Sequence, residues 1–287
     1  MIKHTTESKS LRKLKTSLIK RIPRFPNTKE TLQALENQHL NLILLHYIHW
    51  ASRYVPARSR RITYENYALN DPRWESLSGQ IDDFLLKVET GGDLTPYLSK
   101  KPHTEGYEVK VIDDRSNPDT WTDKDFLLNV MGLHHFHLVP AETGRTNVVL
   151  FAEVTRTEFH VVALFDHSVF DCEITANREM ESDERNRLWT IFREYSSRGI
   201  PSGSAYCFTD IAYSGHPGHI VDMSRDYIRV IEQFDSKLED KDFISSLYEG
   251  TCVDIPKKNK LEWDMKGLDL CLVDKNKNFY VLRYGSI

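Results

Sequence analysis

An α+β fold, with a helical N-terminal part, a central antiparallel sheet and a C-terminal α+β extension, is predicted by three features of this 287-residue sequence. Apolar residues recur at helical spacing through the N-terminal part, three strand-like runs crowd between Leu133 and Phe165, and the last third sets helical segments before a closing hairpin. A composition 40% apolar and 28% charged belongs to a folded globular chain rather than a disordered one. The length accommodates one elaborated domain or two sharing an interface. Composition shifts mark a basic arm at 1–30, a helical region at 31–120, a histidine-bearing core at 121–198 and the extension at 199–287.

The arm carries nine Lys or Arg and one acid, Glu7, between Met1 and Lys29, while the whole chain has net charge −4 and so does not coat nucleic acid by overall charge. Leu11, Leu14, Leu18 and Ile22 fall at helical spacing among Arg12, Lys13, Lys15, Lys20 and Arg21, predicting a short basic amphipathic helix stopped by Pro23. Such a helix could meet RNA, a lipid surface or a partner, or lay its leucines on its own body. No apolar run follows it, so no signal peptide is expected. Leu40 to Trp50 is the longest nearly apolar stretch and is far short of the ~20 residues of a spanning helix. Cys172, Cys207, Cys252 and Cys271 stand singly, which suggests neither a disulfide framework nor a thiolate zinc site and fits a reducing cytoplasm.

A helix over 28–51 follows from the periodic leucines, with His46 and His49 on one face as a candidate metal pair or, more blandly, as polar tips at a helix edge. The Arg-dense segment that follows, including Arg58, Arg60 and Arg61, suits phosphate or salt bridging to the acidic body. Further helices are expected at 72–88, ending at Gly91, at 123–131, capped by Thr122 or Asp123, and at 177–195. Strands are expected at 133–139, 148–155 and 158–165, the last two forming a hairpin. Beyond the breakers Gly199 to Gly203 come a strand-like run at 206–213, a turn at 214–219 whose His216 and His219 are expected in solvent, helices at 224–237 and 240–248, and a hairpin of 268–273 with 279–284.

Most of the candidate chemistry lies in one window. His135 and His137 share a strand face and His134 takes the other, while His167 ends a third strand. If those strands are neighbours, two imidazoles can face one phosphate as acid and base, with Arg145 or Arg156 as the cation, which is all that cleavage of RNA by its own 2′-hydroxyl requires. The competing readings are a metal site built from His135, His137 and His167 with Glu142 or Asp166, and a binding module without catalysis. No Gly-x-Ser-x-Gly elbow, activated cysteine or phosphate-binding loop is present in the sequence.

Residues 123–171 resemble the toxin nucleases of the RelE superfamily, especially the YafQ branch. The counterparts are His137-Leu138, the strand Val149-Leu150-Phe151-Ala152, and Asp166-His167-Ser168-Val169-Phe170. The insertion Ala141 to Asn147 replaces the family's Asp, for which Glu142 stands in by position, and the aromatic follows His167 one residue early. The resemblance implies a metal-independent ribonuclease of a bacterial toxin or defence system with no cofactor. Its expected partners are RNA, including ribosome-bound mRNA, and an antitoxin protein. It puts His137 and His167 in the positions of functional histidines and Phe170 in that of the terminal aromatic. With the residues' own reading, the candidate catalytic set is His135, His137, His167 and Arg145, and the candidate substrate contacts are Arg58, Arg60, Arg61, Arg156 and Phe170.

Overall fold

The computed structural model describes the chain apart from residues 1–7, 105, 110–118, 122–125, 176–177, 202, 205–215, 256–257, 259 and 286–287. The fold is α+β. In chain order its elements begin with α1 (Lys9–Arg21), α2 (Lys29–Glu36), α3 (Leu40–Ala51), β1 (Arg61–Tyr64), α4 (Asn66–Leu69), α5 (Pro72–Ser76) and α6 (Ser78–Thr90). There follow α7 (Lys101–Thr104), β2 (Tyr107–Val109), β3 (Asp119–Trp121), α8 (Phe126–Met131), β4 (Leu133–His137), β5 (Val148–Val154) and β6 (Glu158–Asp166). Then come β7 (Cys172–Thr175), β8 (Arg178–Glu181), α9 (Asp183–Ser196), α10 (Gly218–Phe234), α11 (Lys241–Tyr248), β9 (Leu261–Lys266), β10 (Asp269–Asp274) and β11 (Phe279–Tyr284). These form two compact units, one of Met1–Ser52, Lys101–Asp123 and Ile211–Ile287, the other of Arg53–Lys100 and Lys124–Asp210. The basic arm and most of the C-terminal extension thus share a unit, and the histidine-bearing core shares one with part of the helical region.

In the first unit, Ser8 caps α1 by accepting from the Leu11 amide, and Leu14, Leu18 and Ile19 are buried in a core with α3, α10 and the sheet β11-β10-β9. Its cations turn to acids of β9: Lys13 pairs with Glu262, and Arg21 with Asp264 at 3.1 Å while also donating to the Tyr47 hydroxyl. The leucines of the arm therefore lie on its own body. The helix expected over 28–51 is two helices, broken at 37–39, where the Gln38 amide donates to the Tyr107 hydroxyl at 2.9 Å. The periodicity crossed the break because Leu35 and Ile43 both enter one core. α10 begins at Gly218, earlier than expected, because Ile220 and Met223 already face that core. The run expected at 206–213 lies outside the described residues. β9 joins the expected C-terminal hairpin, with Leu261, Trp263 and Met265 alternating inward.

Three histidines of this unit depart from expectation. His46, His49 and His216 are buried, at 2%, 1% and 2% exposure, and are neither helix-edge tips nor solvated loop residues. The reason is that α3 is apolar nearly all round and is covered on every side that these rings occupy. Burial, followed by the neighbouring His216, pushes His46 down to about 3. An unfolded imidazole takes up its proton near 6.5, so between pH 6.5 and about 3 the unfolded chain binds more protons than the folded one and stability falls as pH falls. Each such group contributes a slope of ~1.4 kcal/mol per pH unit at full effect. The urea midpoint is expected to drop between pH 7.5 and pH 5, and a flat profile there would contradict the burial of neutral imidazoles.

In the second unit the sheet order is β1-β6-β5-β4. The three histidine-bearing strands are antiparallel as expected, but β1 joins β6 in parallel, Arg61 opposite Glu158 and Tyr64 opposite Val161, so the sheet is mixed. One face carries Phe136, Leu150, Phe159 and Val161 against Ile81, Phe84 and Val88 of α6. The other carries Leu133, Val149, Phe151 and Phe165 against Leu127 and Met131 of α8 and Leu188, Ile191 and Phe192 of α9. The helix expected over 72–88 is split at Leu77 into α5 and α6, with Asp71 capping α5 and Pro72 opening it. α6 ends at Gly91, φ +74°, where a Cβ would stand 2.6 Å from the Ser59 nitrogen. The helix expected from 177 begins only at Asp183, capped by Ser182, because 178–181 pair with 172–175 as a hairpin.

Candidate active site at one end of the central sheet

The register of the central strands sets the site. His137 lies opposite Val149, and Val148 opposite Asp166, so the end of β4, the start of β5 and the end of β6 meet at one edge of the sheet. His167 opens the 3₁₀ turn His167–Phe170 immediately after β6. Its ring centroid lies 5.2 Å from that of His137, with the planes tilted by 31°. The two imidazoles that the sequence placed on different strands are therefore brought together.

Their tautomers follow from their partners. His167 Nδ1 stands 3.0 Å from the Asn147 carbonyl oxygen, which only accepts, so Nδ1 carries the proton and Nε2 is left for solvent or substrate. Arg145 Nη1 stands 3.0 Å from His137 Nε2; the guanidinium donates, so the neutral ring keeps its proton on Nδ1. His137 is 3% exposed, and burial, then the charge of Arg145, push it down to about 4, which leaves it neutral at pH 7. The connection carrying Arg145 is fixed by Thr146, whose hydroxyl accepts from the Leu138 amide and donates to the Val148 carbonyl. Phe170, 36% exposed, has its ring 5.6 Å from His167 and 5.0 Å from His135, so it walls the site together with His135.

The remaining expected substrate contacts lie elsewhere. Arg61 pairs with Glu158 at the start of β6, and Arg156 sits in the β5–β6 turn. That end of the nine-residue β6 is ~30 Å from His167 at ~3.3 Å per residue. Arg60 is buried and donates to the carbonyls of Thr155, Pro56 and Arg58, a structural use that leaves it facing no substrate. Arg58, Arg60, Arg61 and Arg156 therefore do not join the histidines, because the Arg-rich segment leads into a strand paired along the start of β6 rather than its end. Glu142, offered as a stand-in carboxylate, is exposed in the connection. A metal at these histidines would have to displace the Arg145 guanidinium, which donates to the His137 lone pair. Among the described residues no group of three or more His, Cys, Asp or Glu side chains stands as a ligand set.

Two clusters were missed from sequence. The carboxylate of Asp71 receives Arg73 Nε and Nη2 at 2.8 Å each and Arg187 Nη2 at 2.8 Å. Arg73 and Glu184 in turn reach Asp166: Glu184 accepts from its amide at 3.1 Å, and Arg73 stands 3.8 Å from its carboxylate. Asp71, Arg73, Glu184 and Arg187, with Asn66, Tyr67 and Asn70, line an open cleft of about 540 Å³. Asp166 completes the turn that carries His167 by accepting from the Ser168 amide and hydroxyl. The second cluster ties β1 to β6: His160 meets Thr63 through Nδ1 at 2.7 Å and Glu65 through Nε2 at 3.0 Å, and stacks on Tyr195. The Asp-Pro step at 71–72 was a readable helix start, but nothing in the sequence marked its carboxylate as the partner of Arg187, 116 residues away.

Compared with protein-family models, with curated proteins and with solved structures, the chain matches none of them. No helix among the described residues is long and apolar enough to cross a membrane.

Proposed function

We propose that the protein is a metal-independent endoribonuclease of the toxin or defence type, RelE-like in its use of histidines and acting in the bacterial cytoplasm. The observation that carries this reading is the pairing of His137 and His167 beside Arg145 at an accessible strand end. A phosphate entering here offers the Arg145 guanidinium a stronger partner than a neutral imidazole. Arg145 turns to it and releases the His137 Nε2 lone pair, which takes the proton of the RNA 2′-hydroxyl. The 2′-oxygen attacks phosphorus, Arg145 meets the charge of the phosphorane, and His167 in its protonated form gives its Nε2 proton to the departing 5′-oxygen. The products are a 2′,3′-cyclic phosphate and a 5′-hydroxyl. The Asn147 carbonyl holds the His167 ring by Nδ1 and leaves Nε2 for the substrate, while Phe170 offers a ring face to a neighbouring base. Under this reading the partners are RNA and a neutralising antitoxin.

The test is chemical. Purified protein with RNA in excess chelator should yield upstream fragments ending in 2′,3′-cyclic phosphate, and RNA bearing 2′-O-methyl at the cut site should resist. Fragments with 3′-hydroxyl ends, or cleavage that appears only on adding a divalent metal, would remove the two histidines from these roles. RNA binding without cleavage would leave a non-catalytic RNA-binding module.

A further inference from the structure

In the second unit, β1 is the outermost strand of the sheet and has β6 as its neighbour. The Arg61 and Glu65 amides donate to the Thr157 and Val161 carbonyls, so with a repeat of two residues the amides and carbonyls of Ile62 and Tyr64 point away from the sheet. Among the described residues no strand meets that side, and none of those outward groups makes a hydrogen bond. Such an edge is a template for an added strand unless charge or proline blunts it. Ile62-Thr63-Tyr64 carries neither, and Arg61 is paired with Glu158.

The surface beside that edge is apolar and anionic. Register puts Ile62 opposite Phe159 and Tyr64 opposite Val161, on the face covered by α6. Tyr64 is 41% exposed, and its ring meets that of Trp74 edge-on at 5.8 Å. Partial burial, then the charges of Glu89 and Asp82, push the Tyr64 hydroxyl above its usual range, so both carboxylates stand near that ring. At about 100° per residue, Asp82, Leu86 and Glu89 share one face of α6, and Lys87 is at least about 100° round from each. Leu86 is 57% exposed, and neither Asp82 nor Glu89 forms an ion pair among the described residues. Exposed aromatic rings bordered by carboxylates attract a guanidinium or ammonium group. Two copies of this chain joined at the edge would set like carboxylates toward one another, so the charge selects a partner of opposite sign.

We propose that β1 takes up an extended cationic segment of a partner protein as a fifth strand, its backbone pairing with Ile62 and Tyr64 and its alternate Arg or Lys side chains lying over Tyr64 beside Asp82 and Glu89. Main-chain hydrogen bonds supply the affinity, and the aromatic and acidic surface supplies the preference for cations. Nothing in this inference depends on RNA cleavage.

The probe is the peptide acetyl-Arg-Val-Arg-Val-Arg-amide added to the full-length chain. It should bind, and amide exchange followed by NMR should slow at Ile62 and Tyr64 in the complex. The peptide with Glu in place of Arg should bind far more weakly, and the Arg peptide N-methylated on all its amides should not bind. Tyr64→Leu keeps a strand-compatible apolar side chain but should weaken binding about two- to fivefold, the worth of an exposed cation–π contact. The double variant Asp82→Asn, Glu89→Gln should weaken it further and flatten its salt dependence. No binding, equal binding of the Arg and Glu peptides, full binding of the N-methylated peptide, or unchanged exchange at Ile62 and Tyr64 would each overturn the proposal. A parent protein that dimerises with those two amides protected would give the edge to a second copy and overturn it as well.

Discussion

His167→Ala is expected to lower RNA cleavage by about 10²–10⁴-fold, the usual worth of a positioned acid or base, while leaving the urea midpoint close to that of the parent. The ring sits on a turn whose backbone is held by Asp166, Ser168 and Ser182 rather than by the imidazole, so its removal leaves the fold intact. Arg145→Ala should cost a similar factor, and Arg145→Lys should restore little, since an ammonium lacks the planar fork that reaches phosphate and His137 in turn. In a bacterium, expression of the parent should arrest growth and expression of His167→Ala should not. Folded His167→Ala or His137→Ala protein that still cleaves RNA at the parental rate would end the acid and base assignment.

The largest effect on stability is expected at Asp71. Its carboxylate is 1% exposed and accepts from two guanidinium groups on different helices, so removing it takes their shared partner and leaves Arg73 to Glu184 and Arg187 to the Leu164 carbonyl. Breaking one side of a fully buried ion pair costs about 3–5 kcal/mol; because Arg73 and Arg187 are part-exposed and keep other acceptors, Asp71→Ala should lose stability at or below the lower end of that range in urea denaturation. Asp71→Asn should fall between, because an amide oxygen still accepts but carries no charge. The consequence should reach the His137–His167 site: Arg73, released from Asp71, no longer braces Glu184 against the Asp166 amide, and the turn bearing His167 loosens. An Asp71→Ala protein with an unchanged midpoint would show that the network is ornamental.

Much of the second unit was legible because its strands are short, apolar and closed by visible breaks; β4, β5 and β6 lie within two residues of where alternation puts them. The pairing of His137 with His167 followed from strand adjacency alone. What was not legible depended on partners far away in sequence. β1 is four residues with no apolar alternation, and it becomes a strand only because β6 offers an open edge 97 residues later. For the same reason the arginines before it read equally as phosphate contacts or as salt-bridging residues, and nothing in the sequence showed that Arg60 would be buried on the carbonyls of Thr155, Pro56 and Arg58. His216 looked like a solvated loop residue because it stands in a Gly/Pro-rich turn; its burial is imposed by α3. β9 was missed from sequence although the signal was there: Leu261, Trp263 and Met265 alternate with charged residues.

The order in which the segments of the two units are linked bears on how the protein is made. α1 closes its core against β9, where Lys13 meets Glu262, 249 residues further along the chain. At ~5–20 residues per second the ribosome needs roughly ten to fifty seconds to supply that partner, and throughout it Leu14 and Leu18 can pack only on α3, without the sheet that completes their core. The second unit is complete in sequence by Asp210 and can close while the first still waits for its last strands. The nascent chain thus carries a finished sheet alongside a sticky cationic helix, a window in which chaperones, or premature association with another chain, compete with native docking.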